Sequence, residues 1–145
     1  MVTISLFLKL KESPHVLIYG ANLWYHIEDA EHDNQSRMQY VNNIDNFTCN
    51  VRSQWPNTTL IFAFQDIITG RRFAKTIMYN TLAGNLLKEK HPHVVVWDTG
   101  RALSEYLLEN SPRSIMVDGA HMNINTYRMQ GQFLLNFLFN EDCRR

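Results

Sequence analysis

Asp118 and His121 stand three residues apart near the C-terminus, after an apolar run and before a segment patterned as a helix. A carboxylate that binds one imidazole nitrogen fixes the tautomer, and the other nitrogen can then accept a proton from a reacting hydroxyl. The spacing therefore indicates an acid–base pair of the kind that hydrolytic sites use. The plain structural alternative is a loop acid followed by a helix-entry histidine, so further parts of a site are needed.

A second chemical candidate is the string Gly20-Ala21-Asn22, which follows a short apolar run. The side-chain amide of Asn22 can donate a hydrogen bond to an oxyanion, and Gly20 lets the backbone turn closely beside it. The structural alternative is an asparagine in an ordinary turn after a glycine. In isolation neither motif decides between the two interpretations.

Three strand-like runs precede or separate these candidates and must position them. The runs are short, rich in β-branched and aromatic residues, and cover residues 15–20, 58–64 and 94–98. Residues 115–117 lead into the Asp118 motif, and the segment 2–10 suits either a strand or a short helix. Parallel strands place their ligands beyond their carboxyl ends, so Asn22, Gln65-Asp66, Asp98 and the Asp118–His121 pair are all expected near one edge of a sheet.

Helical spacing of apolar residues fills the intervals between the strands. After a predicted polar loop over 28–35, the buried helix faces are expected at Met38, Val41, Ile44, Thr48 and Val51; at Ile77, Met78, Leu82 and Leu86; and at Ile124, Tyr127, Gly131, Leu134, Leu135 and Leu138. A helical turn or two is expected over 102–108. Strands that alternate with helices in this way predict one α/β domain, residues 1–145, with a parallel sheet and right-handed crossovers.

The two motifs, in this order through an α/β pattern, resemble the second half of an SGNH/GDSL-type hydrolase. The resemblance covers roughly residues 15–139, and the surroundings Tyr19–His26 and Val117–Met122 look most like the eukaryotic PC-esterase and NXPE-like branches. It implies a three-layer α/β/α, flavodoxin-like fold. It also implies His121 as general base, Asp118 as its orienting acid, and an oxyanion hole with Asn22 and Gly20. Such a site needs no metal and no organic cofactor.

The sequence departs from the family where the nucleophile should stand. No G-D-S block precedes Gly20, Ser5 and Ser13 have no Gly-Asp before them, and Leu23 replaces the aspartate of the G-x-N-D string. The resemblance therefore predicts an N-terminally truncated fold. It would be the C-terminal part of an esterase or O-acyltransferase that acts on acyl esters, acetyl esters of carbohydrates among them. Whether this chain alone is an enzyme stays open. The alternative is a catalytically inactive SGNH-like secreted or luminal interaction module.

Composition narrows the remaining function classes. The chain has 145 residues, 45% of them hydrophobic and 19% charged, and a formal net charge of zero. Its basic runs are no longer than Arg71-Arg72 and Arg144-Arg145, which argues against a nucleic-acid partner. Every apolar stretch is shorter than the roughly 18 residues that a membrane-spanning helix needs. The expected partner is thus an acyl-ester substrate, while the oligomeric state is left open.

Cysteine, glycosylation and histidine patterns add little more. Cys49 and Cys143 are compatible with one disulfide or with two free thiols. Three N-x-[ST] strings, at Asn34, Asn46 and Asn57, weakly favour the secretory pathway. The string His91-Pro92-His93 lies at a helix-to-strand corner without nearby Cys or carboxylate spacing in the sequence, so it is interpreted as a structural corner and no metal site is predicted.

Overall fold

Three parallel strands alternate with helices along the chain. A computed structural model describes residues 12–20, 33–67, 73–110 and 122–139. In chain order the elements are β1 (Val16–Gly20), α1 (Asp33–Gln54), β2 (Thr59–Ala63), α2 (Phe73–Lys90), β3 (Val95–Trp97), α3 (Thr99–Asn110) and α4 (Ile124–Phe139).

The sheet has the strand order β1-β2-β3, and both strand pairs are parallel. Parallel neighbours cannot be joined by a tight hairpin and need a crossover, which α1 and α2 supply. The predicted α/β class with a parallel sheet is confirmed, as is the place of each of the three strands. The strands are shorter than predicted by one or two residues.

The core lies between the sheet and the helices α1 and α2. Leu60 and Phe62 of β2 point to this side and are 2% and 0% exposed. The residues of α1 and α2 that are buried in the same cluster are Tyr40, Ile44, Val51, Tyr79, Ala83, Leu86 and Leu87. Because β2 is the central described strand, it is buried most completely and anchors the two helices on the sheet.

A hydrogen bond ties β1 to α1 within this core. The Oγ1 of Thr48 donates to the carbonyl of Ile44 at 2.8 Å, so the Tyr19 hydroxyl, also 2.8 Å away, is the donor to Thr48. Burial raises the pKa of Tyr19 to about 12, and the Thr48 contact offsets this only in part. The tyrosine is therefore neutral at all ordinary pH values.

Helix α1 departs from the prediction at its start and on its buried face. It begins at Asp33, so the expected loop over 28–35 is wrong for its last three positions. Ile44, Thr48 and Val51 are buried as predicted, but Met38 is 67% exposed and the large buried side chain in that turn is Tyr40. The ring of Tyr40 packs edge-on against Tyr79 of α2, with ring centroids 4.7 Å apart, and this contact sets the rotation of the helix.

Helix α4 has the predicted length, but the face that it buries is polar, whereas an apolar face was predicted. Ile124 and Leu135, expected in the core, are 63% and 50% exposed, whereas Thr126 and Gln130 are buried. Gln130 makes hydrogen bonds at the end of the sheet, so polar contacts rather than the apolar stripe determine how α4 is seated. Helix α3, which packs against α4, is also longer than the predicted 102–108.

Two predicted segments, 2–10 and 115–117, lie outside the described residues. Within the described ranges, no helix is long and apolar enough to cross a membrane, in agreement with the prediction from the apolar stretches.

Candidate functional site

The carboxyl ends of the three strands are level. Gly20 pairs in register with Ala63, and Ala63 pairs with Trp97, so the last residues of β1, β2 and β3 form one row. Adjacent strands lie about 4.8 Å apart, which makes the row about 10 Å wide. We call the region beyond this row the carboxyl rim, and it is where ligands of open parallel sheets bind.

Gly20, the first predicted site residue, is the last residue of β1 and is exposed at the carboxyl rim. A Cβ added to it would stand 3.0 Å from the carbonyl oxygen of Ala63. That separation is tighter than most Cβ contacts, so a side chain at this position would require the backbone of β2 to shift by a few tenths of an ångström. The other predicted site residues, Asn22, Asp118 and His121, lie outside the described residues.

A polar pair whose contact was not predicted occupies the part of the carboxyl rim beyond β2 and β3. Gln130 of α4 donates from Nε2 to Oδ1 of Asp66 at 2.8 Å, with a longer contact of 3.4 Å to the carbonyl of Gly100. The same nitrogen lies 3.8 Å from the sulfur of Met122, which is 3% exposed. The chain immediately after His121 therefore begins among these residues.

The carboxyl of Asp66 is held in a poorly solvated place. Burial raises its pKa above the ordinary value, and the hydrogen bond from Gln130 opposes that rise only in part. A carboxyl group with a raised pKa at the end of a parallel strand is a candidate for proton exchange or for hydrogen bonding to a ligand hydroxyl. Asp66 was expected near the rim from its place after a strand-like run, but no role was predicted for it.

Two further polar atoms at the rim have no hydrogen-bond partner within the described part of the chain. They are the buried Nε1 of Trp97 and the buried Oε1 of Gln65. The backbone of Gln65 is fixed, because Asn80 accepts from its N–H at 3.0 Å and donates to its carbonyl at 2.9 Å. An unpaired donor and an unpaired acceptor beside Asp66 can bind a polar ligand or water.

The side chain of Asp98, which was also expected near the rim, is paired with a residue of α3, the helix that follows it. Its carboxylate forms a two-pronged ion pair with Arg101, and Arg101 also donates to Glu105 at 2.7 Å. The Asp98 carbonyl accepts from the N–H of Ala102 at 3.0 Å. The Asp98 backbone thus begins the first turn of α3, and its carboxylate is taken up by the ion pair with Arg101.

A separate cluster lies away from the carboxyl rim, where α2 ends and the chain turns into β3. The Nε2 of His91 is 2.7 Å from Oδ1 of Asp45, and the sulfur of Cys49 is 4.0 Å from the same oxygen. One ligand atom from each of the three residues lies within 4.8 Å of the other two. Hydrogen bonds from Lys90 first, and from His91 second, hold the pKa of Asp45 below its ordinary value.

His91 was considered as a possible metal ligand together with His93, and no metal site was predicted there. The two rings are edge-on with centroids 5.8 Å apart, and the structure instead places His91 beside the acid and the thiol of α1. Asp45 and Cys49 are four residues apart on one helix face, which was a local signal. Their proximity to a residue 46 positions beyond Asp45 had no local signal.

Set against known proteins, the chain matches no protein-family model, no curated protein and no solved structure. The resemblance to SGNH-type hydrolases therefore stays a prediction from the motifs at Gly20 and Asp118. The function has to be argued from the sheet and from the side chains at its carboxyl rim.

Proposed function

We propose that this chain is the C-terminal part of an SGNH-type esterase or O-acyltransferase that acts on acyl esters, with its nucleophilic serine in a block that the chain does not contain. One observation carries the proposal: Gly20 and Met122, the described residues next to the two predicted motifs, both lie at the carboxyl rim. Gly20, which opens the Gly-Ala-Asn string, ends β1 at the carboxyl rim. Met122, which follows His121, is buried beside Gln130 and thereby joined to Asp66 beyond β2.

The strand order also supports the proposal. A flavodoxin-like sheet has the order 2-1-3-4-5, in which the last three strands are neighbours in sequence and in space. The order β1-β2-β3 is the one that strands 3, 4 and 5 of such a sheet would give. In this arrangement β1 is the third strand of the five-stranded sheet, and Asn22 follows it. The strand that leads to the serine would then pair along the outer edge of β1.

In the proposed reaction, the serine oxygen attacks the acyl carbonyl while His121 accepts the serine proton. Asp118 holds the imidazole in the tautomer that can do so, and the Asn22 amide, with backbone N–H groups near Gly20, stabilises the negative oxygen. The C–O bond to the leaving alcohol then breaks, and His121 returns the proton to that alcohol. Water or a sugar hydroxyl attacks the acyl-serine next and releases the acid or the transferred ester.

The polar group beyond β2 suits an oxygen-rich acceptor. The Asp66 carboxyl, the side-chain amide oxygen of Gln65 and the indole N–H of Trp97 supply hydrogen-bond acceptors and a donor beyond the ends of β2 and β3. The hydroxyl groups of a sugar pair with polar atoms of this kind. This supports carbohydrate as the acceptor or as the esterified group.

The test joins the chain to the segment encoded upstream in its own reading frame. If that segment contains a G-D-S block after a strand, the joined protein should hydrolyse p-nitrophenyl acetate and release acetate from an acetylated polysaccharide. We expect His121→Ala to lower kcat by about 10² to 10⁴-fold and Asn22→Ala by about 10² to 10³-fold. The control is His15→Ala, which changes an exposed histidine just before β1 and should leave kcat unchanged.

The 145-residue chain alone is expected to show no His121-dependent turnover, since it lacks the attacking serine. Turnover by this chain that disappears in His121→Ala would contradict the proposal that the attacking serine lies in a separate, upstream segment. A joined protein that folds and retains its activity in both His121→Ala and Asn22→Ala would contradict the proposal itself. An upstream frame without any G-D-S block would favour the inactive interaction module.

A further inference from the structure

We infer that Asp45, Cys49 and His91 form a binding site for a zinc-type divalent metal ion, distinct from the proposed acyl-transfer site. The three residues come from two parts of the fold. Asp45 and Cys49 lie one turn apart on α1, and His91 follows the last residue of α2. Their ligand atoms already lie within 4.8 Å of one another.

The distances fit tetrahedral coordination after small side-chain rotations. Zinc binds nitrogen and oxygen at about 2.0–2.2 Å and sulfur at about 2.3 Å, which separates tetrahedral O and N ligands by about 3.3 Å and O and S ligands by about 3.6 Å. Here Oδ1 of Asp45 is 2.7 Å from Nε2 of His91 and 4.0 Å from Sγ of Cys49. The first separation must widen and the second shorten, each by roughly half an ångström, and the His91 nitrogen and the Cys49 sulfur, which lie within 4.8 Å, must come to about 3.6 Å.

The backbone holds the His91 imidazole in place. The N–H of His91 donates to Leu87 and its carbonyl accepts from Val94, both at 2.9 Å. The residue is 5% exposed, so its ring has little freedom to turn away from Asp45. A ligand that is fixed before the metal arrives loses little conformational entropy on binding. Asp45 and Cys49, the more exposed partners, can make the remaining adjustment.

Lys90 leaves the ligand atom of Asp45 available. Its ammonium binds Oδ2 at 3.0 Å, on the carboxylate oxygen opposite to the one that faces His91, and its side chain is 59% exposed. In the metal-bound form this contact would orient the carboxylate and balance part of its charge, as outer-shell partners of metal ligands do. The ammonium can also swing into solvent without breaking the group around Oδ1.

The ligand set selects the kind of metal. A thiolate and an imidazole favour Zn²⁺ and similar first-row ions over Mg²⁺ and Ca²⁺, which prefer oxygen alone. Three protein ligands leave the fourth position to water, and Cys49 is exposed, so that position opens to solvent. Binding releases the Cys49 thiol proton to solvent as the thiolate coordinates the ion. Without metal, the same atoms remain an Asp–His–Lys hydrogen-bonded group.

The test uses Co²⁺ as a visible substitute for zinc. The full 145-residue chain is stripped with a chelator, kept reduced with a phosphine, and titrated with Co²⁺ while the absorption spectrum is recorded. We expect a thiolate-to-cobalt charge-transfer band that saturates at one ion per chain and disappears when Zn²⁺ is added. Zinc should also raise the melting temperature, because it binds the folded chain.

Two cysteine variants identify the sulfur ligand. Cys49→Ser should abolish the band and weaken Zn²⁺ binding at least tenfold, while Cys143→Ser keeps both. Cys49 is exposed, so loss of binding in Cys49→Ser cannot be attributed to a damaged core. His91→Gln should weaken binding similarly, with its fold checked by circular dichroism, and His93→Ala should bind like the unmodified chain.

Several results would overturn the inference. They are the absence of any cobalt band from the folded, reduced chain, a band that survives in Cys49→Ser, and a band that requires Cys143 instead of Cys49. None of these measurements involves ester hydrolysis. The metal site and the proposed acyl-transfer site can therefore fail independently of each other.

Discussion

Gln130 of α4 donates a 2.8 Å hydrogen bond from Nε2 to Oδ1 of Asp66, across 64 positions of the sequence. The bond connects the last described helix to the residues that follow the central strand, and it does so at the carboxyl rim. Gln130 is buried, although the apolar stripe of its helix is largely exposed. The Gln130–Asp66 hydrogen bond therefore positions α4, the helix that follows the predicted acid–base motif.

The raised pKa of Asp66 predicts a pH dependence of stability that Asp66→Asn removes. Between the unfolded pKa near 3.8 and the higher folded pKa, the folded chain keeps a proton that the unfolded chain has lost. Its free energy of unfolding therefore falls as pH rises through this window. Asparagine keeps an acceptor for Gln130 but has no charge, so the variant should gain stability relative to the parent as pH increases.

Urea unfolding at a series of pH values measures this difference. Asp45→Asn is the matched control, because Lys90 and His91 lower the pKa of Asp45. The stability that ionised Asp45 contributes is present above its unfolded pKa and is lost as pH falls through its folded pKa. The two variants should therefore depart from the parent in opposite directions. A constant offset between Asp66→Asn and the parent at all pH values would contradict a raised pKa.

Gly100 is predicted to be intolerant of even a methyl group. A Cβ there would meet two atoms of the Trp97 ring at 3.1 Å and Oδ1 of Asp66 at 3.2 Å. Both neighbours are held, the ring by burial and the carboxylate by Gln130. We expect Gly100→Ala to lower the free energy of unfolding by about 1–3 kcal/mol, as overpacking does.

Gly131 in α4 is the matched control for this substitution, since an added Cβ meets nothing within 4 Å. There alanine should stabilise the helix by about 0.5–1 kcal/mol through its higher helix propensity. The two changes add the same methyl group, so the comparison isolates the packing at the rim. Equal effects of the two variants in chemical denaturation would show that the Gly100 contact is unimportant.

The sequence predicted those parts of the fold that depend on local patterns. Short β-branched runs marked the three strands, and alternation with helical segments predicted the parallel sheet. The faces of α1 and α4 were predicted less well, because the burial of Tyr40 and of Gln130 depends on contacts with Tyr79 and Asp66 in other elements. Periodicity reports which residues are apolar, and it does not report what a helix packs against.

The candidate sites differ in the same way between features with a local sequence signal and features that depend on long-range contacts. Gly20 was identified because a glycine after an apolar run has a local signature, and it does end β1. The Asp66–Gln130 pair and the Asp45–Cys49–His91 cluster are each assembled from distant segments, with partners 64 and 46 positions apart. No pattern in one segment specifies such a pair, since the tertiary contacts bring the partners together.

Ser104 is predicted to be required to hold the backbone at Ile67, directly after Asp66. Its fully buried hydroxyl accepts from the N–H of Ile67 at 2.8 Å and donates to the carbonyl of Arg101 at 2.6 Å. Ser104→Ala would leave the buried N–H of Ile67 unpaired, at a cost of about 1–3 kcal/mol. Thr81→Ala is the control, because its hydroxyl bonds the carbonyl of Ile77 at an exposed position and should change stability by less than about 0.5 kcal/mol.

The last prediction concerns β1, which is an edge strand of the sheet formed by the described residues. Val16 and Ile18 point away from α1 and α2 and are 42% and 38% exposed. An apolar strand at the end of a sheet can pair with another chain, whereas a lysine in such a strand opposes that pairing. We therefore expect the chain to self-associate with increasing concentration, and Val16→Lys to raise the monomer fraction.

Sedimentation equilibrium at several concentrations tests this expectation. Met38→Lys is the control, since it adds the same charge at a side chain of α1 that is 67% exposed. If the gain in monomer came from net charge alone, both lysine variants would show it equally. The prediction would be contradicted if the parent chain were a monodisperse monomer at every concentration and melted cooperatively at high temperature. The edge of β1 would then need no partner strand.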